Sequence, residues 1–199
     1  MAYSDVYESW KQNPEGFWME AAKAIDWDET PSKALFDLGD NLYEWFSDGM
    51  VNTCYNAVDR HVENGRGAQA AIIHDSPVTG TKHKISYAQL RSRVARLAGA
   101  LRAKGVEKGD RVIIYMPMVP EALEAMLACT RIGAVHSVVF GGFAAHELAV
   151  RIDDCEPKCI IAASCGIEPG RVVHYKPLLD GAIEEAKHKP EFCVIFQRE

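Results

Sequence analysis

Two short glycine-bearing stretches are where this chain could do chemistry. Phe140-Gly141-Gly142-Phe143 directly follows one apolar run, and Gly166-Ile167-Glu168-Pro169-Gly170-Arg171 follows another. In the first, two residues without a Cβ let a ligand or a neighbouring chain approach the backbone, and leave amide donors exposed at the start of the next helix. A sharp strand-to-helix turn would use the same pair. In the second, Pro169 and Gly170 set a turn and Arg171 stands at its exit, which suits a phosphate clamp or a surface ion pair. The two stretches follow consecutive strands, so they are expected side by side as one shared site. A third stretch, Met116-Pro-Met-Val-Pro120, reads as a stiff apolar wall, because its prolines set φ and remove donors.

Other apparent signals dissolve on inspection. Thr79-Gly-Thr-Lys82 ends like a phosphate-binding loop but lacks the first glycine and the strand-to-helix setting that loop needs. The seven histidines are scattered, and the six cysteines form no CxxC pair. Cys155, Cys159 and Cys165 come nearest to a metal cluster, but they fall at a helix end, a strand start and a loop. No nucleophile, general base or metal-ligand set can be named, and reduced thiols are the expectation.

The elements that must position these stretches follow from pattern. The chain has 199 residues, 48% of them hydrophobic and 25% charged, the balance of a protein with a real core. Its 22 basic and 28 acidic residues leave a net charge of −6, which argues against a nucleic-acid partner held by phosphate neutralisation. No run nears the ~20 apolar residues of a membrane span. The start, Met1-Ala-Tyr-Ser-Asp-Val-Tyr-Glu, carries no export or organelle pattern. A cytoplasmic protein without nucleic-acid or membrane partners is expected; homo-oligomerisation stays open.

Two styles of sequence meet near residue 68. Residues 1–67 form an irregular arm holding Trp10, Trp18, Trp27 and Trp45, which cannot bury its rings against itself and so is expected to wrap something larger. Within it, Val51 to His61 reads as a helix with Val51, Cys54, Tyr55 and Val58 on one face. Residues 68–199 are regular. Ala70–His74 and Lys82–Ser86 read as a hairpin. Ser86-Tyr-Ala-Gln89 reads as a capping box, opening a helix whose stripe is Leu90, Val94, Leu97 and Leu101, stopped by Gly105. Strands Arg111–Met116, Val135–Phe140, Cys159–Ser164 and Phe192–Gln197 then alternate with helix-length segments. The fold class is α/β: a mainly parallel sheet with helices on both faces, plus the amino-terminal arm. Only two residues follow the last strand, so a fragment of a longer polypeptide is expected.

Five ordered segments carry a family resemblance: Trp45-Phe-Ser-Asp-Gly-Met-Val-Asn52, Asn56-Ala-Val-Asp-Arg-His61, Ile85-Ser-Tyr-Ala-Gln-Leu90, Lys108-Gly-Asp-Arg-Val-Ile-Ile-Tyr-Met-Pro117 and Gly133-Ala-Val-His-Ser-Val-Val-Phe-Gly-Gly-Phe143. Together they resemble the amino-terminal region of AMP-forming short-chain acyl-CoA synthetases, over essentially the whole chain. Cys165-Gly-Ile-Glu-Pro-Gly-Arg171 resembles the propionate-activating members; the acetate-activating ones usually carry arginine where Glu168 stands. The resemblance implies that propionate, ATP and CoA are substrates. Carboxylate attacks ATP to give acyl-adenylate and pyrophosphate, and the CoA thiol then displaces AMP. It implies a CoA-binding stretch at Glu168, Pro169, Gly170 and Arg171, with Phe140, Gly141 and Gly142 in the neighbouring CoA-side loop. It also implies that the phosphate loop, the adenine contacts, the Mg2+ ligands and the catalytic lysine lie beyond residue 199, in the remainder of the same polypeptide. These residues are therefore expected to supply an incomplete amino-terminal domain with no catalytic group, inactive alone. Other readings are an acetate or other short-chain acid ligase and, in a different class, a stand-alone CoA- or nucleotide-binding module.

Overall fold

The structure, a computed structural model, describes residues 2–198 and divides into two compact units, Met1–Asn52 and Thr53–Glu199. In the first unit, helix α1 (Tyr3–Gln12) meets helix α2 (Pro14–Ala22) at Asn13, whose side chain accepts from the Gly16 amide at 3.0 Å. Pro14 sits at the first helical position, where its missing donor costs nothing. Strands β1 (Leu35–Gly39) and β2 (Leu42–Trp45) form a hairpin whose turn runs through positive φ at Gly39, Asp40 and Asn41.

The rings of this arm touch one another without being buried, as expected of an arm that cannot bury them against itself: Trp18 stays 36% and Trp45 52% exposed. Trp18 stands edge-on to Trp45 at 5.3 Å, Trp45 meets Phe46 at 5.9 Å, and Phe46 meets Trp27 at 5.6 Å. The hairpin brings Trp45 and Phe46 back over α2, a long-range closure that periodicity does not reveal. Among the described residues of this unit, Ala22, Pro31 and Ala34 are buried, and none of the rings is.

The second unit opens with a helical stretch made of two π-helical turns, Tyr55–Asp59 and Val62–Arg66. The expected face of Val51, Cys54, Tyr55 and Val58 is only half kept: Cys54 and Val58 are buried, whereas Val51 and Tyr55 are exposed. The wide turn carries Asp59 inward instead, where it meets Arg131 at 2.7 Å and 2.8 Å. This stretch packs on helix α3 (Tyr87–Ala103), so it belongs with the second unit although it precedes the change of style near residue 68.

Strands β3 (Ala70–Ser76) and β4 (Thr81–Ser86) form the expected hairpin. At the start of α3 the capping box is present: Gln89 N–H donates to Ser86 Oγ at 3.3 Å, and Ser86 N–H donates to Gln89 Oε1 at 2.9 Å. Leu90, Val94, Ala98 and Leu101 then form its buried stripe, with Leu97 half-buried. Next come β5 (Arg111–Met116), α4 (Pro120–Arg131), β6 (Val135–Phe140), α5 (Ala145–Cys155), β7 (Cys159–Ala163), β8 (Cys165–Glu168), β9 (Arg171–His174), α6 (Tyr175–Glu185) and β10 (Phe192–Phe196).

The main sheet is wholly parallel, in the order β10-β7-β5-β6. Both its central strands read as continuous apolar runs because both faces are covered: Val112 to Tyr115 and Cys159 to Ala163 are all buried. The chain steps from β5 to β6 on one side and then returns across β5 to β7. With right-handed crossovers, α4 therefore covers one face while α5 and α6 cover the other. The packing pairs agree: α3 lies on α4, and α5 on α6.

Candidate functional site

In such a sheet the ligand crevice lies beyond the carboxyl ends of the strands, where the order reverses. That edge is built by Met116, Phe140 and Ala163, the last residues of β5, β6 and β7. The two glycine stretches leave from β6 and β7. These strands are not neighbours, since β5 lies between them. Strand adjacency therefore does not bring the loops together.

A buried tyrosine does. Tyr175, the first residue of α6, is 3% exposed, and its phenol lies beside Gly141 of one stretch and Gly166 of the other. A Cβ at Gly141 would stand 2.6 Å from Tyr175 Oη, 2.8 Å from Cε2 and 2.9 Å from the Met116 carbonyl. A Cβ at Gly166 would run into the same Oη, with Cζ at 2.7 Å and Cε1, on the other edge of the ring, at 2.9 Å. Both glycines are small because the phenol occupies the space beside them. Gly142 has a different reason: its φ of +97° is one that L side chains rarely adopt. A second tyrosine supports the first. Tyr115 lies 5.1 Å from Tyr175 between ring centres, and its hydroxyl donates to the Phe143 carbonyl at 2.8 Å. Burial pushes both phenols above their usual titration range, so both stay neutral hydrogen-bonding groups.

The stretch after β7 is a hairpin and not the loop expected of it. Cys165 pairs with His174 and Glu168 with Arg171, leaving Pro169 and Gly170 as the two-residue turn. Proline's fixed φ and the +76° at Gly170 are what such a turn demands. Register places Glu168 and Arg171 directly opposite, and Arg171 donates from Nε at 2.7 Å and Nη2 at 2.6 Å to Glu168 Oε2. The guanidinium remains 71% exposed, with donors to spare for a second partner.

Hairpin residues 167–172, with Pro77 and Val78 of the β3–β4 turn, line an open cavity of about 720 Å³. Glu168, Pro169, Gly170 and Arg171 thus share one surface. Phe140, Gly141 and Gly142 do not line it; Gly141 meets the base of the hairpin, at Gly166, across Tyr175, and Phe140 is exposed against Phe143 at 5.8 Å. Chemically, the cavity offers a rigid cation for an anionic group and an acceptor beside it. Among the described residues no group of three or more His, Cys, Asp or Glu could hold a metal ion. Cys54, Cys129, Cys155, Cys159, Cys165 and Cys193 are free thiols.

Sequence reasoning missed both tyrosines. For Tyr115 there was a signal: a phenol inside an aliphatic strand must find a partner for its hydroxyl. For Tyr175 there was none, since its partners lie on two other elements.

Comparison with known proteins adds to this. Residues 58–198 match the family described as "AMP-binding enzyme", and residues 3–57 match "Acetyl-coenzyme A synthetase N-terminus". The chain is similar to acyl-CoA synthetase short-chain family member 3, mitochondrial, of Rattus norvegicus, with 53% identity over 186 residues, 94% of this chain and 27% of that protein. It is 45% identical over 199 residues to an acetyl-coenzyme A synthetase of Xanthobacter autotrophicus, covering 98% of this chain and 30% of that protein. It is 42% identical over 198 residues to a propionate–CoA ligase of Escherichia coli, covering 100% and 31%. The chain thus spans about a third or less of the length of the curated relatives it matches.

Proposed function

The chain belongs to the AMP-binding enzyme family, and from that premise we propose that it is the amino-terminal part of an AMP-forming acyl-CoA synthetase that makes propionyl-CoA. In the proposed reaction a carboxylate oxygen attacks the α-phosphorus of ATP and expels pyrophosphate. The CoA sulfur then attacks the acyl carbonyl and AMP leaves. The residues described here contribute to neither bond; their part is to hold CoA.

The observation that carries this reading is the hairpin at the carboxyl edge of the sheet, with Arg171 fixed by its Glu168 pair on a two-residue turn and still largely exposed. A guanidinium held this way matches the phosphates of the CoA nucleotide, which share it with Glu168 or replace Glu168 on it. Glu168, Pro169, Gly170 and Arg171 form the phosphate end of the proposed site, and Phe140, Gly141 and Gly142 its neighbouring loop. The magnesium that accompanies ATP is proposed to bind outside residues 1–199. We place the protein in the cytoplasm, where the six free thiols would persist; fractionation of the source cells checks this.

Acetate is the second reading, favoured by the 45% identity to an acetyl-coenzyme A synthetase. Steady-state kinetics of the full-length protein over acetate, propionate and butyrate decide between them. The proposal expects the highest kcat/KM for propionate, and a higher value for acetate overturns that choice. Residues 1–199 alone, given ATP, propionate and CoA, are expected to form no propionyl-CoA.

A further inference from the structure

We propose that Tyr175 is a positioning residue for the CoA site, the spacer that sets the distance between the glycine loop after β6 and the Glu168–Arg171 hairpin; this rests on the CoA reading above. Three features of the structure carry it. First, the phenol is gripped from both edges, by Gly141 on the Cε2 side and by Gly166 on the Cε1 side. Any change in the ring's tip therefore changes the separation of the two backbones. Second, the stretches have no direct tie through the sheet, because β6 and β7 flank β5. Third, the base of the ring is anchored: the Tyr175 amide donates to the Ser164 carbonyl at 3.0 Å, and the Tyr115 ring lies against it while donating to Phe143. A Cβ at Gly141 would also stand 2.9 Å from the Met116 carbonyl, and β5 meets the Tyr175 ring through Tyr115, 5.1 Å away between ring centres.

The position of Tyr175 explains why glycine stands at two places 25 residues apart in sequence, 141 and 166. Packed interiors transmit such spacing because they have little free volume to absorb a missing or added atom. Tyr175 touches no candidate CoA contact with a charged group of its own, and its effect on a ligand is exerted through the two loops.

The test is made on the full-length protein with Tyr175→Phe and Tyr175→Leu, and with Gly166→Ala in each background. Expected are a three- to tenfold rise in KM for CoA in Tyr175→Phe, a larger rise in Tyr175→Leu, and KM values for ATP and acid within twofold of the parent. Gly166→Ala should be harmful alone and much less harmful beside Tyr175→Leu, where the ring no longer fills the space. Hydrogen exchange should quicken together at amides 140–143 and 165–171 while those of β5 are unchanged. Equal rises in all three KM values, or an unchanged CoA KM in Tyr175→Phe, overturn the proposal. Arg171→Ala serves as reference: if it leaves CoA KM unchanged, the CoA reading itself has failed, whereas a raised KM there with none in Tyr175→Phe defeats the spacer alone.

Discussion

Two arginine–carboxylate pairs in the second unit have nearly the same distances and opposite surroundings. Arg131 binds Asp59 with both terminal nitrogens, at 2.8 Å and 2.7 Å, and the side chains are 27% and 9% exposed. Arg171 binds Glu168 at 2.6 Å and 2.7 Å, with 71% and 44% exposed. The first pair locks the wide helical turn at residues 55–59 onto the end of α4; Arg131 also reaches Cys54 Sγ at 3.4 Å. Its carboxylate is almost out of water, and its guanidinium is about three-quarters covered. The second pair joins residues three apart on one hairpin, in solvent, and holds nothing together that the β8–β9 ladder does not already hold. The difference teaches where a charge is free to serve a ligand: an arginine whose loss costs the fold little can exchange its partner.

Breaking the inner pair should have the largest effect. Asp59→Ala strands Arg131 in a mostly dry site, and the cost should fall near ~3 kcal/mol, the low end for buried pairs because the arginine keeps some exposure. Urea denaturation with an unchanged slope checks it; a loss below ~1 kcal/mol would remove the contrast. Next comes Gly141→Ala, which drives a methyl against the Tyr175 hydroxyl and the Met116 backbone. Overpacking of this kind costs about 1–3 kcal/mol, or a thermal midpoint lowered by roughly 2–4 °C per kcal/mol for a domain of this size. An undiminished midpoint would show that the loop yields freely.

The outer pair sharpens the comparison from the other side. Arg171→Ala should change folding stability by less than ~1 kcal/mol, and by nothing measurable at high salt, since exposed pairs are weak and screened. A smaller effect concerns pH. Burial holds the His136 imidazole below its ordinary value of 6.5, so the unfolded chain takes up a proton before the folded one does. Stability should therefore fall as pH drops below about 6.5 through this group. His136→Gln should flatten that part of the denaturation profile, and an unaltered slope would contradict the assignment.

Much of this architecture was written in local pattern. The runs Arg111–Met116 and Val135–Phe140 coincide with β5 and β6, and the capping box at Ser86 opens α3 where it should. What escaped was set by distance along the chain. Gly166–Arg171 read as a loop because four-residue strands flanking Pro-Gly leave no alternation long enough to notice. The neighbourhood of the two glycine stretches was anticipated, but for a wrong reason: β5 separates their strands, and Tyr175 supplies the contact. The inward turn of Asp59 depends on an arginine 72 residues away. The ring cluster of the first unit likewise depends on a hairpin that returns Trp45 to Trp18. The Pro169-Gly170 turn that presents Arg171 is legible in the sequence because its chemistry is local.

The proposed role of Arg171 is that of a CoA-facing cation held ready by an expendable partner, Glu168. Calorimetric titration of CoA into the full-length protein and into its Arg171→Ala variant tests this most directly. The account predicts a loss of ~1.5–3 kcal/mol, about ten- to 150-fold in Kd, with folding stability nearly intact. An unchanged Kd would contradict it.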